Sequence, residues 1–62
     1  LRKQKANVLS VSGTSAQIMD MESYETFDLE IPEELQAQVE AGKIILYWQI
    51  MGKKIMKEIV KT

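Results

Sequence analysis

The sequence contains no cysteine and no histidine. Without cysteine the chain can form no disulfide, and without either residue type it lacks the usual ligands of a structural zinc site. The same absence removes the common nucleophile and the common general base, since no serine has a histidine to activate it. We therefore expect a protein that is not an enzyme and that has no catalytic residues, no metal site and no cofactor.

Glycine and long apolar runs are also scarce. Gly13, Gly42 and Gly52 are isolated, so no glycine-rich loop is available to bind phosphate. No apolar stretch approaches the roughly 20 residues of a membrane-spanning helix, and no charged and then apolar leader opens the sequence. These absences predict a cytoplasmic protein without a membrane partner.

The 62 residues leave room for one small core. A chain of this length buries only about 60% of its unfolded surface, so we expect a net stability of a few kcal/mol. Because Leu1 is not a start methionine, we expect residues 1–62 to be a single domain of a longer protein, which a neighbouring domain would help to stabilise.

A two-residue alternation of apolar and polar side chains predicts β-strands along most of the chain. The predicted strands cover residues 3–11, 16–19, 24–30, 43–51 and 54–60. Val8 and Leu9 are adjacent apolar residues, which predicts a bulge or a change of sheet in the first strand. Hairpin turns are predicted at residues 12–15, 20–23 and 52–53.

Between the third and fourth strands the apolar period changes to that of a helix. Ile31, Leu35 and Val39 recur every four residues and would form one apolar stripe. Pro32 suits the first helical position, and Gly42 suits a left-handed cap at the end. The sequence therefore predicts a helix of about two turns, which would need to dock on the strands to be stable.

Three strands, a helix and two strands follow the order of the OB-fold barrel. We therefore predict an all-β fold, a five-stranded OB-fold barrel with one short helix between strands three and four. A split barrel of the SH3 type is the alternative, but it gives no reason for the helix. Closure of the OB barrel would pair strands three and five and would place acidic side chains of strand three beside lysines of strand five. These pairs would involve Asp28, Glu30, Lys57 and Lys61.

Charge is segregated along the chain, although the net charge is only -1. Tyr24 could stack on a base from the third strand, but Glu22 and Glu25 beside it would repel phosphate. We expect any contact with RNA to use the N-terminal arm and the loop between strands four and five, through phosphates and without base readout. The candidate residues are Arg2, Lys3, Lys5, Lys53 and Lys54. The alternative is that Lys53 and Lys54 only form a solvated turn.

The fourth predicted strand is apolar on both faces. Tyr47 and Trp48 are adjacent, so they point to opposite faces and only one of them can enter the core. The second apolar face predicts a contact with a neighbouring domain or weak self-association with a second copy, unless the helix and loops cover it. Leu46, Trp48 and Tyr24 are the candidate residues for a protein contact.

Several segments of the sequence carry a family resemblance. They are DMESYETF at 20–27, IPEEL at 31–35, YW at 47–48 and MGKKIM at 51–56. Together they resemble the C-terminal domain of archaeal translation initiation factor 5A, a hypusine-containing factor related to bacterial elongation factor P. The likeness runs from about Lys5 to Lys57.

The resemblance implies the C-terminal OB domain of a two-domain translation factor that binds the ribosome and supports peptide-bond formation. The implied partners are the ribosome with its RNA or tRNA, and the N-terminal domain of the same factor. The modified lysine of the family lies in a Gly-Lys-His-Gly type loop of that N-terminal domain, so no residue of this chain inherits its role. Two departures are Leu46, where relatives often carry an acid, and Glu58, which leaves the strand register beyond Lys57 open.

Overall fold

The computed structural model describes residues 2–60, in which five antiparallel strands form one curled sheet. The strands are β1 (Arg2–Ser12), β2 (Ser15–Asp20), β3 (Thr26–Glu30), β4 (Ile44–Ile50) and β5 (Lys53–Val60). Their order in the sheet is β3-β2-β1-β4-β5. The predicted all-β class and the predicted number of strands are confirmed.

Strand β1 joins the two halves of the sheet. Its first half pairs with β4 and its second half with β2, and Ala6 has a partner in both strands. The register against β2 shifts between Val8 and Ser10, which leaves Leu9 without a partner. This is the bulge that the adjacent apolar residues predicted, and a bulge bends its strand and increases the local twist. The bend lets β1 serve both halves of a curled sheet.

The inner side of the curl holds the hydrophobic core. Alternation along the strands places Ile18 of β2 and Ile45 of β4 there, both fully buried. Tyr47, and not Trp48, is the aromatic residue of β4 that enters the core. The complete set of buried apolar residues is Ala6, Val8, Ala16, Ile18, Leu29, Ile31, Val39, Ile45, Tyr47 and Met56.

The predicted pairing of β3 with β5 is not found in residues 2–60, where these strands are the two ends of the sheet order. The structure is therefore a half-barrel. The two edge strands nevertheless come close, because the Lys54 Nζ lies 4.0 Å from the centroid of the Phe27 ring. A side chain of β5 thus packs on a side chain of β3 where a closed barrel would have a ladder of backbone hydrogen bonds.

The charge pairs expected between β3 and β5 require these strands to pair, and the strands do not pair. Asp28 and Glu30 lie opposite residues of β2 instead. Lys57 lies over the ring of Trp48 on the other side of the sheet. Lys61 is outside the residues that the structure describes.

The segment between β3 and β4 contains a single turn of 3-10 helix, Glu33–Leu35, and not the two-turn α-helix that the period predicted. Pro32 precedes it in an extended conformation with ψ 147°. Ile31 and Val39 are buried and Leu35 packs against them, so the apolar stripe is confirmed even though the helix is not. The anchoring of both ends in the core outweighs the weak helical preference of so short a segment. Within residues 2–60, no helix has the length and apolar character needed to cross a membrane.

Two predicted turns differ in detail from the structure. Gly42 has the positive φ of 94° that was expected, but it does not end a helix. Its N–H donates to the carbonyl of Val8 at 2.8 Å and so extends the pairing of β1 towards β4. The hairpin between β4 and β5 turns at Met51 and Gly52, with φ of 48° and 84°, and Lys53 already belongs to β5.

We expect Met51→Asn to raise the free energy of unfolding by about 0.5–1 kcal/mol, because asparagine tolerates the left-handed conformation better than methionine does. Met51 is 98% exposed, so the substitution removes no packing. Urea unfolding followed by circular dichroism would measure the change. Met51→Val is the matched control, since a β-branched residue fits this conformation poorly and should lower the stability. A destabilised Met51→Asn variant would contradict the turn described here.

Candidate functional site

A buried carboxylate lies at the end of β2. Asp20 is 1% exposed and is the one buried charged side chain found within residues 2–60. Its oxygens accept hydrogen bonds from four groups, namely the Tyr47 hydroxyl, Gln4 Nε2 at 2.9 Å, and the N–H groups of Glu22 at 2.8 Å and Ser23 at 2.9 Å. A buried charge costs little only when it is fully hydrogen-bonded, and this one is.

The local sequence explains why the carboxylate lies there. An aspartate at the start of a turn can accept from N–H groups two and three residues later, which replaces hydrogen bonds that the backbone loses as it turns. The backbone closes the same turn, because the Tyr24 N–H donates to the Asp20 carbonyl and the Asp20 N–H donates to the Glu25 carbonyl, both at 2.9 Å. These bonds hold Tyr24 at an unusual φ of 63°.

This turn corrects the predicted position of Tyr24. The turn delays the start of β3 until Thr26, so Tyr24 lies in the turn and not on the exposed side of a strand. Its side chain is 71% exposed. The other two candidates for a protein contact, Leu46 and Trp48, lie on β4, which β1 and β2 separate from β3 in the sheet. Tyr24 therefore lies on a different element from Leu46 and Trp48.

Opposing effects set the pKa of Asp20. Burial raises this pKa because it disfavours the charged form, but the hydrogen bonds from Tyr47 and from the turn N–H groups lower it by more. The pKa of the Asp20 carboxyl therefore lies below its usual value. Burial first, and then the contact with Asp20, raise the pKa of the Tyr47 hydroxyl above its usual range. The neutral Tyr47 hydroxyl therefore donates a hydrogen bond to the ionised Asp20 carboxylate.

A shallow cleft of about 250 Å³ opens beside the buried carboxylate, at the end of the sheet where β3 and β5 approach each other. Arg2 and Lys54 lie on its wall, and so do Glu22 and Glu25. Charges of both signs therefore offset each other along the cleft. Within the described residues, no group of three or more metal-ligating side chains is placed to hold a metal ion.

The predicted RNA-contact residues divide between two sides of the sheet. Arg2 and Lys54 lie opposite Gln49 on the two neighbouring strands, and all three line the cleft. The other three candidates are paired with the apolar residues of β4 that point away from the core. Lys3 lies opposite Trp48, Lys5 opposite Leu46, and Lys53 opposite Ile50. All five basic side chains are exposed.

The outer side of β1, β4 and β5 also carries a lysine that the sequence analysis did not select. The register between β4 and β5 shifts so that Leu46 is opposite Glu58 and Tyr47 is opposite Met56, which leaves Lys57 without a partner. The interruption of the apolar alternation at Glu58 was the signal of this bulge. We call the surface formed by these side chains the outer basic face. Its members are Lys3, Lys5, Leu46, Trp48, Ile50, Lys53, Ile55 and Lys57.

Trp48 is at the centre of the outer basic face. The Lys3 Nζ lies 5.2 Å and the Lys57 Nζ 4.8 Å from the centroid of its ring, so lysines of both neighbouring strands make cation–π contacts with it. The ring is half-buried, and its Nε1–H is buried without a hydrogen-bond acceptor among residues 2–60. The apolar outer side of β4 is thus covered by lysines and not by the 3-10 turn, whose neighbours pack into the core.

Comparison with known proteins identifies the family of the chain. The family described as "Eukaryotic elongation factor 5A hypusine, DNA-binding OB fold" matches residues 1–59. The chain belongs to this factor 5A family. It is 44% identical over 54 residues to "Translation initiation factor 5A" of Archaeoglobus fulgidus, covering 87% of this chain and 42% of that protein. It is also 44% identical over 62 residues to the factor 5A of Korarchaeum cryptofilum, covering 97% of this chain and 44% of that protein.

A solved structure of the factor 5A family has the same fold. The chain superposes on "Eukaryotic translation initiation factor 5A from Methanococcus jannaschii" with a TM-score of 0.85 and 32% identity. The match covers 95% of this chain and 44% of that one. The predicted OB fold and the predicted family are therefore confirmed. The chain spans less than half the length of the factor 5A relatives that it matches.

We expect Tyr47→Phe to lower the free energy of unfolding by about 1–2 kcal/mol, because it leaves a buried carboxylate oxygen with one donor fewer. Asp20→Ala should cost about 3 kcal/mol or more, since it leaves several buried donors unpaired, and should leave a domain of this size largely unfolded. Urea unfolding would measure both changes. Glu22→Ala is the control, because Glu22 donates only its backbone N–H, and should change the stability by less than about 0.5 kcal/mol. A Tyr47→Phe variant as stable as the parent chain would refute the network.

The stability that Tyr47 contributes should also depend on pH. The folded-state pKa of Asp20 is below its unfolded value of about 3.9, so the stabilisation is complete above that value and is lost as the pH falls through the folded-state pKa. The difference in unfolding free energy between the parent chain and Tyr47→Phe should therefore be constant from pH 7 to pH 5 and should shrink below about pH 4. Urea midpoints across this range would test it, and a constant difference down to pH 2 would contradict it.

Proposed function

We propose that this chain is the C-terminal OB domain of a two-domain translation factor that works in the cytoplasm. The domain binds the ribosome through RNA or tRNA, and it supports peptide-bond formation that depends on a modified lysine in an N-terminal domain. The observation that carries the proposal is the match of nearly the whole chain to factor 5A proteins, together with its coverage of only 42–44% of their length. The remaining length of these relatives leaves room for a second domain.

The role proposed for this domain is binding and positioning, not catalysis. Asp20 is the group with the most altered environment of any carboxyl in the fold, but its oxygens are occupied by Tyr47, Gln4 and the turn. A carboxylate held in this way stabilises the fold and is not free to accept a proton from a substrate. This supports a function that depends on the surface of the domain.

The proposed contact with RNA uses basic residues of β1 and of the β4–β5 hairpin. These residues are Arg2, Lys3, Lys5, Lys53 and Lys54, which are all exposed. Lys3, Lys5 and Lys53 share one side of three adjacent strands, which supports a region of phosphate contact there, while Arg2 and Lys54 line the cleft on the other side. Glu22 and Glu25 of the β2–β3 turn lie beside Arg2 and Lys54 at the cleft, so these two acids would weaken phosphate contact there.

Binding to archaeal ribosomes across a salt series would test the proposed function. The 62-residue chain would be compared with the same chain joined to the N-terminal domain of an archaeal relative, and with that N-terminal domain alone. We expect both forms that contain this chain to bind, the joined form more tightly, with affinity falling linearly in a plot of log K against log salt. The chain alone should not stimulate peptide-bond formation. If neither form binds ribosomes, the proposed function is wrong.

A further inference from the structure

We propose that the outer basic face, and not the cleft, binds the phosphodiester backbone of RNA, with Lys3 and Lys57 on either side of Trp48 as its centre. The inference rests on the proposed function and identifies the surface that would perform it. It also adds Lys57, which is the unpaired residue at the bulge in β5.

The charge of the outer basic face favours a polyanion. Lys3 and Lys57 approach the same indole ring from β1 and β5, so their ammonium groups lie no more than about 10 Å apart. Lys5 and Lys53 extend the positive charge along the same side of the sheet. Glu58 is the only acid among the residues of β1, β4 and β5 on this side, and Glu22 of the β2–β3 turn lines a hollow with Lys3 and Lys5. A row of closely spaced cations matches the repeated phosphates of a nucleic acid.

The contacts at Trp48 indicate how the face would respond to phosphate. A cation–π contact at an exposed site is weaker than a charge-assisted hydrogen bond, so Lys3 and Lys57 can leave the ring for a phosphate oxygen. Their departure would expose the Trp48 ring, whose Nε1–H has no acceptor among residues 2–60. A phosphate oxygen or a base would then satisfy this donor or stack on the ring.

The cleft is a weaker candidate although it also holds two cations. Arg2 and Lys54 share its wall with both Glu22 and Glu25. These acids would repel a phosphate chain. A second copy of this chain is also a poor occupant of the outer basic face, because two identical lysine-rich surfaces repel each other.

Charge reversal at single lysines would test the inference. The 62-residue chain and its variants would be titrated with a fluorescently labelled single-stranded RNA, and the anisotropy would be measured from about 50 to 200 mM salt. We expect Lys57→Glu and Lys3→Glu each to weaken binding about tenfold and to lower the slope of log K against log salt by about one. Lys43→Glu is the matched control. Lys43 is also exposed and lies about 16 Å along β4 from Trp48, so it should weaken binding less than about twofold.

Trp48 provides a second readout, because it is the single tryptophan of the chain. Iodide should quench its fluorescence more strongly than caesium does, since the neighbouring lysines attract anions. Addition of RNA should protect Trp48 from iodide in the parent chain. Lys57→Glu should reduce both effects, and circular dichroism would confirm that the variant is folded.

The outcomes separate this inference from the proposed function. Binding of RNA that is abolished by Lys54→Glu but unchanged by Lys57→Glu would overturn the inference and leave the proposed function standing. Polyglutamate that binds as tightly as RNA, with the same salt slope, would assign the face to an acidic protein and would also overturn it. A parent chain and a joined form that bind neither RNA nor ribosomes would overturn both.

Discussion

The structure of this small domain depends on the hydrogen bonds around one buried carboxylate. Asp20 ends β2, and its oxygens accept from Tyr47 of β4 and from Gln4 of β1 as well as from its own turn. It therefore ties together strands on both sides of β1, which is the strand that the two halves of the sheet share. A chain of this length without cysteine has no disulfide to make such a connection.

The same network also accounts for the shape of the open end of the sheet. By setting where the β2–β3 turn ends, Asp20 sets where Phe27 lies, and the Phe27 ring meets the Tyr47 ring edge to face at 5.4 Å. Lys54 of β5 packs its Nζ on the same Phe27 ring. A chain of contacts from Asp20 through Tyr47 and Phe27 to Lys54 thus holds the two edge strands close where the backbone ladder of a closed barrel is absent.

Sequence periodicity predicted the strands well but predicted poorly what depends on tertiary contacts. The alternation in β4 correctly put Tyr47 and Trp48 on opposite faces with only one of them in the core, because every second residue of a strand shares a face. The same parity puts Asp20 on the inner face, but an acid in a turn motif suggested exposure, and only distant donors such as Tyr47 and Gln4 make its burial tolerable. The predicted helix was wrong because burial of Ile31 and Val39 in the core fixes both ends of this short segment, and its helical periodicity is too weak to override that.

The bulge in β5 links the core to the outer surface. Met56 and Ile59 both face the core, opposite Tyr47 and Ile45. In an uninterrupted strand, residues three apart point to opposite faces, so one extra residue must be inserted between them. That residue is Lys57, whose ammonium lies over the ring of Trp48. A single irregularity of register therefore lets both Met56 and Ile59 pack into the core, while Lys57 between them lies on the outer basic face.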